Sequence, residues 1–162
     1  LLSSGLRIAC QDAGPFQAPA GRPPLVLLHG VGADSAEWLL TLPFLARRRR
    51  VVAIDLLGHG RSDKPSGHGV DYRLRLLGET AAGALDGLPS FEGPIDLLGH
   101  SLGGAVAIQM ALLFPRLVRR LILVDAAGLP PAEALSVNAI SLPVAAHDAT
   151  ARSVASFASR SR

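Results

Sequence analysis

The stretch Ile95-Asp96-Leu97-Leu98-Gly99-His100-Ser101-Leu102-Gly103-Gly104 decides the reading of this chain. A short apolar run ends in Gly-His-Ser-Leu-Gly and a helical pattern opens directly after it, so the chain is expected to reverse sharply from strand into helix at Ser101. Gly99 and Gly103 flank the serine and remove the Cβ atoms that would collide in so tight a turn. A serine on such a crest projects its hydroxyl clear of the sheet, as a nucleophile must. Serine is also a preferred N-cap residue, and capping of the following helix is the plainer reading of the same position.

Outward from this turn, short apolar runs alternate with longer helical patterns. Strands are expected at Leu6–Cys10, Leu25–Leu28, Val51–Ile54 and Leu121–Val124, with Leu25–Leu28 a continuous apolar run of the kind buried on both faces and Leu121–Val124 another buried strand. A helical pattern runs through Trp38, Leu39, Leu42 and Leu45, with Pro43 expected to break or kink it. Tyr72 to Leu88 places Leu74, Leu77, Ala81, Ala84 and Leu88 on one helical face, and Ala105 to Phe114 is helical until Pro115 stops it. The alternation predicts an α/β fold, a mostly parallel twisted sheet with helices on both faces. Asp55 to Pro65 is too rich in glycine to be other than an ordered loop. Beyond Gly128 no further strand is evident, which divides the expectation into a core portion, 1–128, and a segment 129–162 that opens a lid or forms a poorly ordered tail.

With 162 residues, 49% of them hydrophobic and 18% charged, the chain can bury one globular core. The net charge is only +3, carried by 15 arginines and Lys64, which is weak ground for a nucleic-acid partner. The run Arg47 to Arg50 reads either as a phosphate patch or, as we expect, as cations closing the helix that precedes it. Cys10 is the one cysteine, so neither an intramolecular disulfide nor a thiolate cluster can form. No apolar stretch is long enough for a membrane span. The chain opens on Leu1 and its one methionine is Met110, so we expect the true start to lie upstream; a targeting segment is unread and a cytoplasmic location is the default.

Three blocks in order, His29-Gly30-Val31-Gly32, Asp55 to Pro65 and Gly99 to Gly104, resemble the α/β-hydrolase superfamily over roughly residues 5 to 130. The blocks look most like those of serine esterases, lipases and perhydrolases. The resemblance implies that Ser101 attacks a carbonyl carbon of a small-molecule acyl substrate and that the backbone amides of Val31 and Leu102 form an oxyanion hole. Gly30, Gly32, Gly99, Gly103 and Gly104 shape that site, as do His29 and His100. The alternative for His29 to Gly32 is a simple tight turn. Epoxide hydrolases and haloalkane dehalogenases are disfavoured, because an aspartate occupies the Ser101 position in those relatives.

The serine needs a base. His29, His59 and His100 belong to loop signatures, and His68 lies in a glycine-rich loop, which leaves His147 as the only histidine after Ser101. The family's order of nucleophile, acid and histidine permits Ser101, Asp125 and His147. Asp125 and His147 read equally as a sheet-end carboxylate and a surface histidine, since the strands that usually carry acid and base are not evident. Asp55 and Asp63 are expected to bond local amides in their loop. In the family's count the sheet is expected to stop after its sixth strand, Leu121–Val124, leaving an open edge suited to self-association. Neither a metal nor an organic cofactor is implied. Besides ester hydrolysis, the same scaffold accommodates acyl transfer, perhydrolysis, carbon-carbon bond hydrolysis or a noncatalytic fragment.

Overall fold

The computed structural model describes residues 5–15, 22–66, 72–91, 93–127 and 139–143. Six strands, β1 (Cys10–Ala13), β2 (Leu25–Leu28), β3 (Val51–Ile54), β4 (Ile95–His100), β5 (Val118–Val124) and β6 (Ala139–Pro143), form one sheet in the order β1-β3-β2-β4-β5-β6. The four inner strands are parallel, and β1 and β6 pair antiparallel at the two edges.

Alternation along the strands sends side chains to two different layers. Val26 and Leu28 of β2, with Val52 and Ile54 of β3, pack under α2 (Leu74–Asp86) and α3 (Leu102–Leu113). Leu25, Leu27, Val51 and Ala53 face the opposite side. There they meet Trp38 from a short 3-10 helix, Ser35–Trp38, and Leu42 and Leu45 from α1 (Leu42–Leu45). The expected two-faced α/β architecture is therefore present.

Several local expectations shift for identifiable reasons. Pro43 lies in the first turn of α1 and starts that helix instead of breaking one, since its missing N–H is unneeded there. In α2 the buried stripe is Leu77, Ala81 and Leu85 with Gly78 and Ala82, so the face is rotated away from Leu74 and Ala84. The first strand begins at Cys10, not Leu6. Upstream, Arg7 and Ala9 bond to the 55–63 loop: Asp63 N donates to Arg7 O, Asp55 N to Ala9 O, and Ala9 N to Ser62 Oγ.

Two corrections are larger. The sheet does not stop at Val124, because β6 pairs with β5 from Arg120↔Pro143 to Val124↔Ala139 and takes the edge expected to be open for self-association. Nor do all the arginines after α1 close a helix. Arg50 is fully buried and grips Asp12 through Nε at 2.9 Å and Nη2 at 2.5 Å, while its Nη1 donates to Pro89 O. Arg49 and Arg119 converge on the buried Asp96, each with a nitrogen 2.8 Å from a carboxylate oxygen. Charges removed from water need such partners, which the chain supplies from distant segments.

Strand order also fixes where a ligand can approach. The chain steps from β2 to β3 on one side, then returns to place β4 on the other side of β2. At such a reversal the loops leaving two adjacent parallel strands part in opposite directions and open a crevice. Here those loops begin at His29 and Ser101, and the Leu28↔Gly99 register sets them side by side.

Candidate active site

Between β4 and α3, Ser101 adopts φ 49°, ψ −115°, a left-handed backbone that a residue with a Cβ rarely takes. Close packing forces the turn. A Cβ on Gly103 would collide with the carbonyl oxygens of Leu28 and His29, and one on Gly99 with the carbonyl of Gly103. The serine backbone is tied to the neighbouring strand end: its N–H donates to Val124 O at 3.0 Å, and its carbonyl accepts from Ala127 N at 2.9 Å and Gly104 N at 3.0 Å. Its side chain makes no capping hydrogen bond to α3, so helix capping does not account for the residue. Ser101 is half-buried, not enclosed.

The loop after β2 lies against this turn. A Cβ built on Gly30 would stand 3.4 Å from Ser101 Cβ and 3.1 Å from His100 Nδ1. The loop does close as a tight turn, with Ala33 N donating to Gly30 O at 3.3 Å, and Gly32 sits at φ 72°. Leu102 occupies the first position of α3, where amides have no intrahelical acceptor. Among the hydrogen bonds of the described residues, neither Leu102 N nor Val31 N donates to a protein acceptor.

The histidines of the loops have structural partners. His29 is fully buried, and its Nε2 accepts from Leu56 N at 3.0 Å, which places the ring proton on Nδ1 for Gly30 O at 2.7 Å. Burial above all, with help from the nearby His59 ring, holds its pKa below 6.5, against the raising effect of Gly30 O. His59 Nδ1 lies 3.2 Å from Leu57 O. His100 Nδ1 approaches Glu37 Oε1 at 2.7 Å without the alignment of a good hydrogen bond, and Glu37 Oε2 accepts from Gly30 N at 2.9 Å. Sequence reasoning missed Glu37.

Asp55 bonds an amide of its own loop, as expected, and also reaches Ser35, whereas Asp63 is held by a distant residue. Asp55 accepts from Ser35 N at 2.7 Å and Arg61 N at 2.8 Å. Burial pushes its pKa up, yet these hydrogen bonds outweigh it and the net shift is downward from 3.8. Asp63 accepts from Arg7 N at 2.8 Å and pairs with its guanidinium at 2.9 Å, not with a local amide. Asp125 is exposed at φ 43° beyond the end of β5, one strand across from Ser101, since Val124 pairs with His100. His68 and His147 lie outside the described residues. Burial also raises the Cys10 thiol pKa. Among the described residues no group of three His, Cys, Asp or Glu side chains could hold a metal ion, and no helix is long and apolar enough to cross a membrane.

Residues 23–154 match the family described as the alpha/beta hydrolase fold. The chain belongs to that family. It is 38% identical over 131 residues to a 2-hydroxy-6-oxo-2,4-heptadienoate hydrolase of Pseudomonas putida, covering 79% of this chain and 44% of the relative. It is 41% identical over 118 residues to a 1-acylglycerol-3-phosphate O-acyltransferase of Arabidopsis thaliana, covering 70% of this chain and 27% of the relative. The crystal structure of a membrane phospholipase A, a bacterial virulence factor, superposes with a TM-score of 0.68 at 35% identity, over 82% of this chain and 40% of the other. The chain thus spans less than half the length of these relatives.

Proposed function

We propose that this α/β-hydrolase chain supplies the nucleophile and oxyanion hole of a serine hydrolase acting on an ester or related acyl compound. The observation that carries the reading is the uncapped, left-handed Ser101 at the crevice, beside two amides that have no acceptor among the described residues. Ser101 Oγ attacks the substrate carbonyl carbon while its proton passes to a base. The resulting oxyanion accepts from Val31 N–H and Leu102 N–H, donors fixed in place before the reaction begins. Collapse breaks the bond to the leaving group, which takes the proton back from the base. Water then attacks the acyl-serine, its proton passing to the same base, and the acid product leaves as Ser101 regains its hydrogen.

Asp125, exposed one strand away, is this chain's own candidate for the acid, and His147 its candidate for the base. Of the segment 129–162, expected to open a lid or form a tail, Ala139–Pro143 pairs in the sheet and the rest lies outside the described residues. A fluorophosphonate probe tests the proposal. Labelling of the wild-type chain is expected at Ser101 and lost in Ser101→Ala; equal labelling of the two would overturn it.

A second reading is favoured by the Pseudomonas putida relative, whose named substrate carries a ketone and a carboxylate but no ester. Hydrolysis at such a ketone breaks a carbon-carbon bond, with the same serine and oxyanion hole. Product analysis on a vinylogous 1,5-diketone acid against a simple ester separates the two readings.

A further inference from the structure

The short 3-10 helix beside the crevice is held firmly at its N-terminal end. Asp34 Oδ1 accepts from Ala36 N at 2.7 Å, Ser35 N donates to the buried Asp55 at 2.7 Å, and Gln11 Nε2 donates to Ser35 Oγ at 2.9 Å. Glu37 therefore projects from an anchored backbone. Its side chain is 22% exposed, and its two oxygens reach the two loops that form the candidate site. Oε2 holds Gly30 N, the amide immediately before Val31, and Oε1 lies against His100, the residue immediately before Ser101.

A peptide plane fixed at one end restricts the next. Glu37 fixes the His29–Gly30 peptide through Gly30 N, and the Gly30–Val31 peptide is held through its own carbonyl, which accepts from His29 Nδ1 at 2.7 Å and Ala33 N at 3.3 Å. With both ends of Gly30 committed, the Val31 N–H has little freedom to turn away from the crevice, although glycine would otherwise permit it. We infer that Glu37 is a positioning residue that aims the Val31 amide at the developing oxyanion and keeps the β2 loop in register with the Ser101 turn. This rests on the serine-hydrolase reading above. The Glu37 carboxylate meets Gly30 N and His100, the residues before Val31 and Ser101. Its effect is exerted through Gly30 and is larger in the transition state, where the oxyanion exists, than in the bound ground state.

The test uses the full chain and fluorophosphonate labelling, in which Ser101 Oγ bonds to phosphorus, fluoride departs and the hydroxyl proton passes to the base. Two variants are compared with wild type: Glu37→Gln, which keeps an oxygen able to accept from Gly30 N, and Glu37→Met, which keeps length without an acceptor. Glu37→Met is expected to lower the maximal labelling rate constant about tenfold with the probe's half-saturating concentration unchanged, as loss of a transition-state interaction requires. Glu37→Gln is expected to stay within about threefold of wild type.

Hydrogen exchange at the Gly30 amide is measured on the same samples. Protection and labelling rate should fall together in Glu37→Met and hold together in Glu37→Gln. Either variant in which one changes without the other overturns the role of Glu37, and if Glu37→Met does not fold, Glu37→Gln alone decides by the same comparison. A wild-type chain that is not labelled at Ser101 overturns instead the serine-hydrolase reading on which this role depends.

Discussion

The main-chain carbonyl of Leu28 and the α-carbon of Gly103 are packed so closely that no side chain fits between them. This contact joins the end of β2 to the first turn of α3 and so sets the distance between the two loops of the crevice. Gly103→Ala places a methyl group against the Leu28 and His29 carbonyl oxygens, both backbone and unable to yield. Overpacking of this kind costs about 1–3 kcal/mol. Chemical denaturation should report a loss in that range, together with slower Ser101 labelling as the loops separate. Unchanged stability would refute the packing argument.

His29 should leave a signature in the pH dependence of stability. Its folded pKa lies below the 6.5 of the unfolded chain, chiefly through burial. Between the two values the unfolded chain binds a proton that the folded chain does not, so unfolding free energy rises with pH and this contribution is complete above 6.5. The slope for one proton is at most about 1.4 kcal/mol per pH unit. In His29→Gln, whose side-chain oxygen can accept from Leu56 N, the slope in this window should diminish. Identical slopes in the two proteins would count against the assignment.

The two kinds of ion pair should differ sharply in worth. Asp12→Ala removes the carboxylate that the buried Arg50 holds through Nε and Nη2, and losing charged hydrogen bonds at a buried group should cost about 1.5–3 kcal/mol. Arg75→Ala removes a solvent-exposed partner of Glu79 on α2 and should cost no more than about 0.5 kcal/mol. Urea denaturation of both variants, at low and at high salt, decides the matter. Similar losses in the two would contradict the burial argument.

These contrasts mark what the chain's local chemistry reveals. Ser101, Gly99 and Gly103 were legible because the turn's demands fall on neighbouring positions, where an apolar run, small residues and a helical pattern meet. The alternating strands and helices were legible for the same reason. Arg49 and Arg50 were not, since a run of arginines gives charge but no address, and the carboxylates that receive them, Asp96 and Asp12, lie far along the chain. Glu37 carried no signal either, because its partners Gly30 and His100 belong to two different loops. The strand Ala139–Pro143 was missed because a sheet-edge strand tolerates a terminal proline and weak alternation, and its pairing with β5 is what defines it.

Ser101 itself should be a site where stability is sacrificed. A residue with a Cβ held at φ 49°, ψ −115° carries strain of about 1–3 kcal/mol, sustained by the hydrogen bonds to Val124 and Ala127 and by close packing of the glycines. Glycine adopts that backbone without the Cβ clash but gains entropy in the unfolded chain, about 0.5–1 kcal/mol, which offsets part of the relief. Ser101→Gly is therefore expected to stabilise the fold by about 1 kcal/mol while abolishing fluorophosphonate labelling. Ser101→Ala, which keeps the Cβ, should lose labelling with little gain in stability. Thermal unfolding of the three proteins checks the order, with glycine highest. A Ser101→Gly variant less stable than Ser101→Ala would mean that the left-handed turn at this position is not strained and that another force selected the serine.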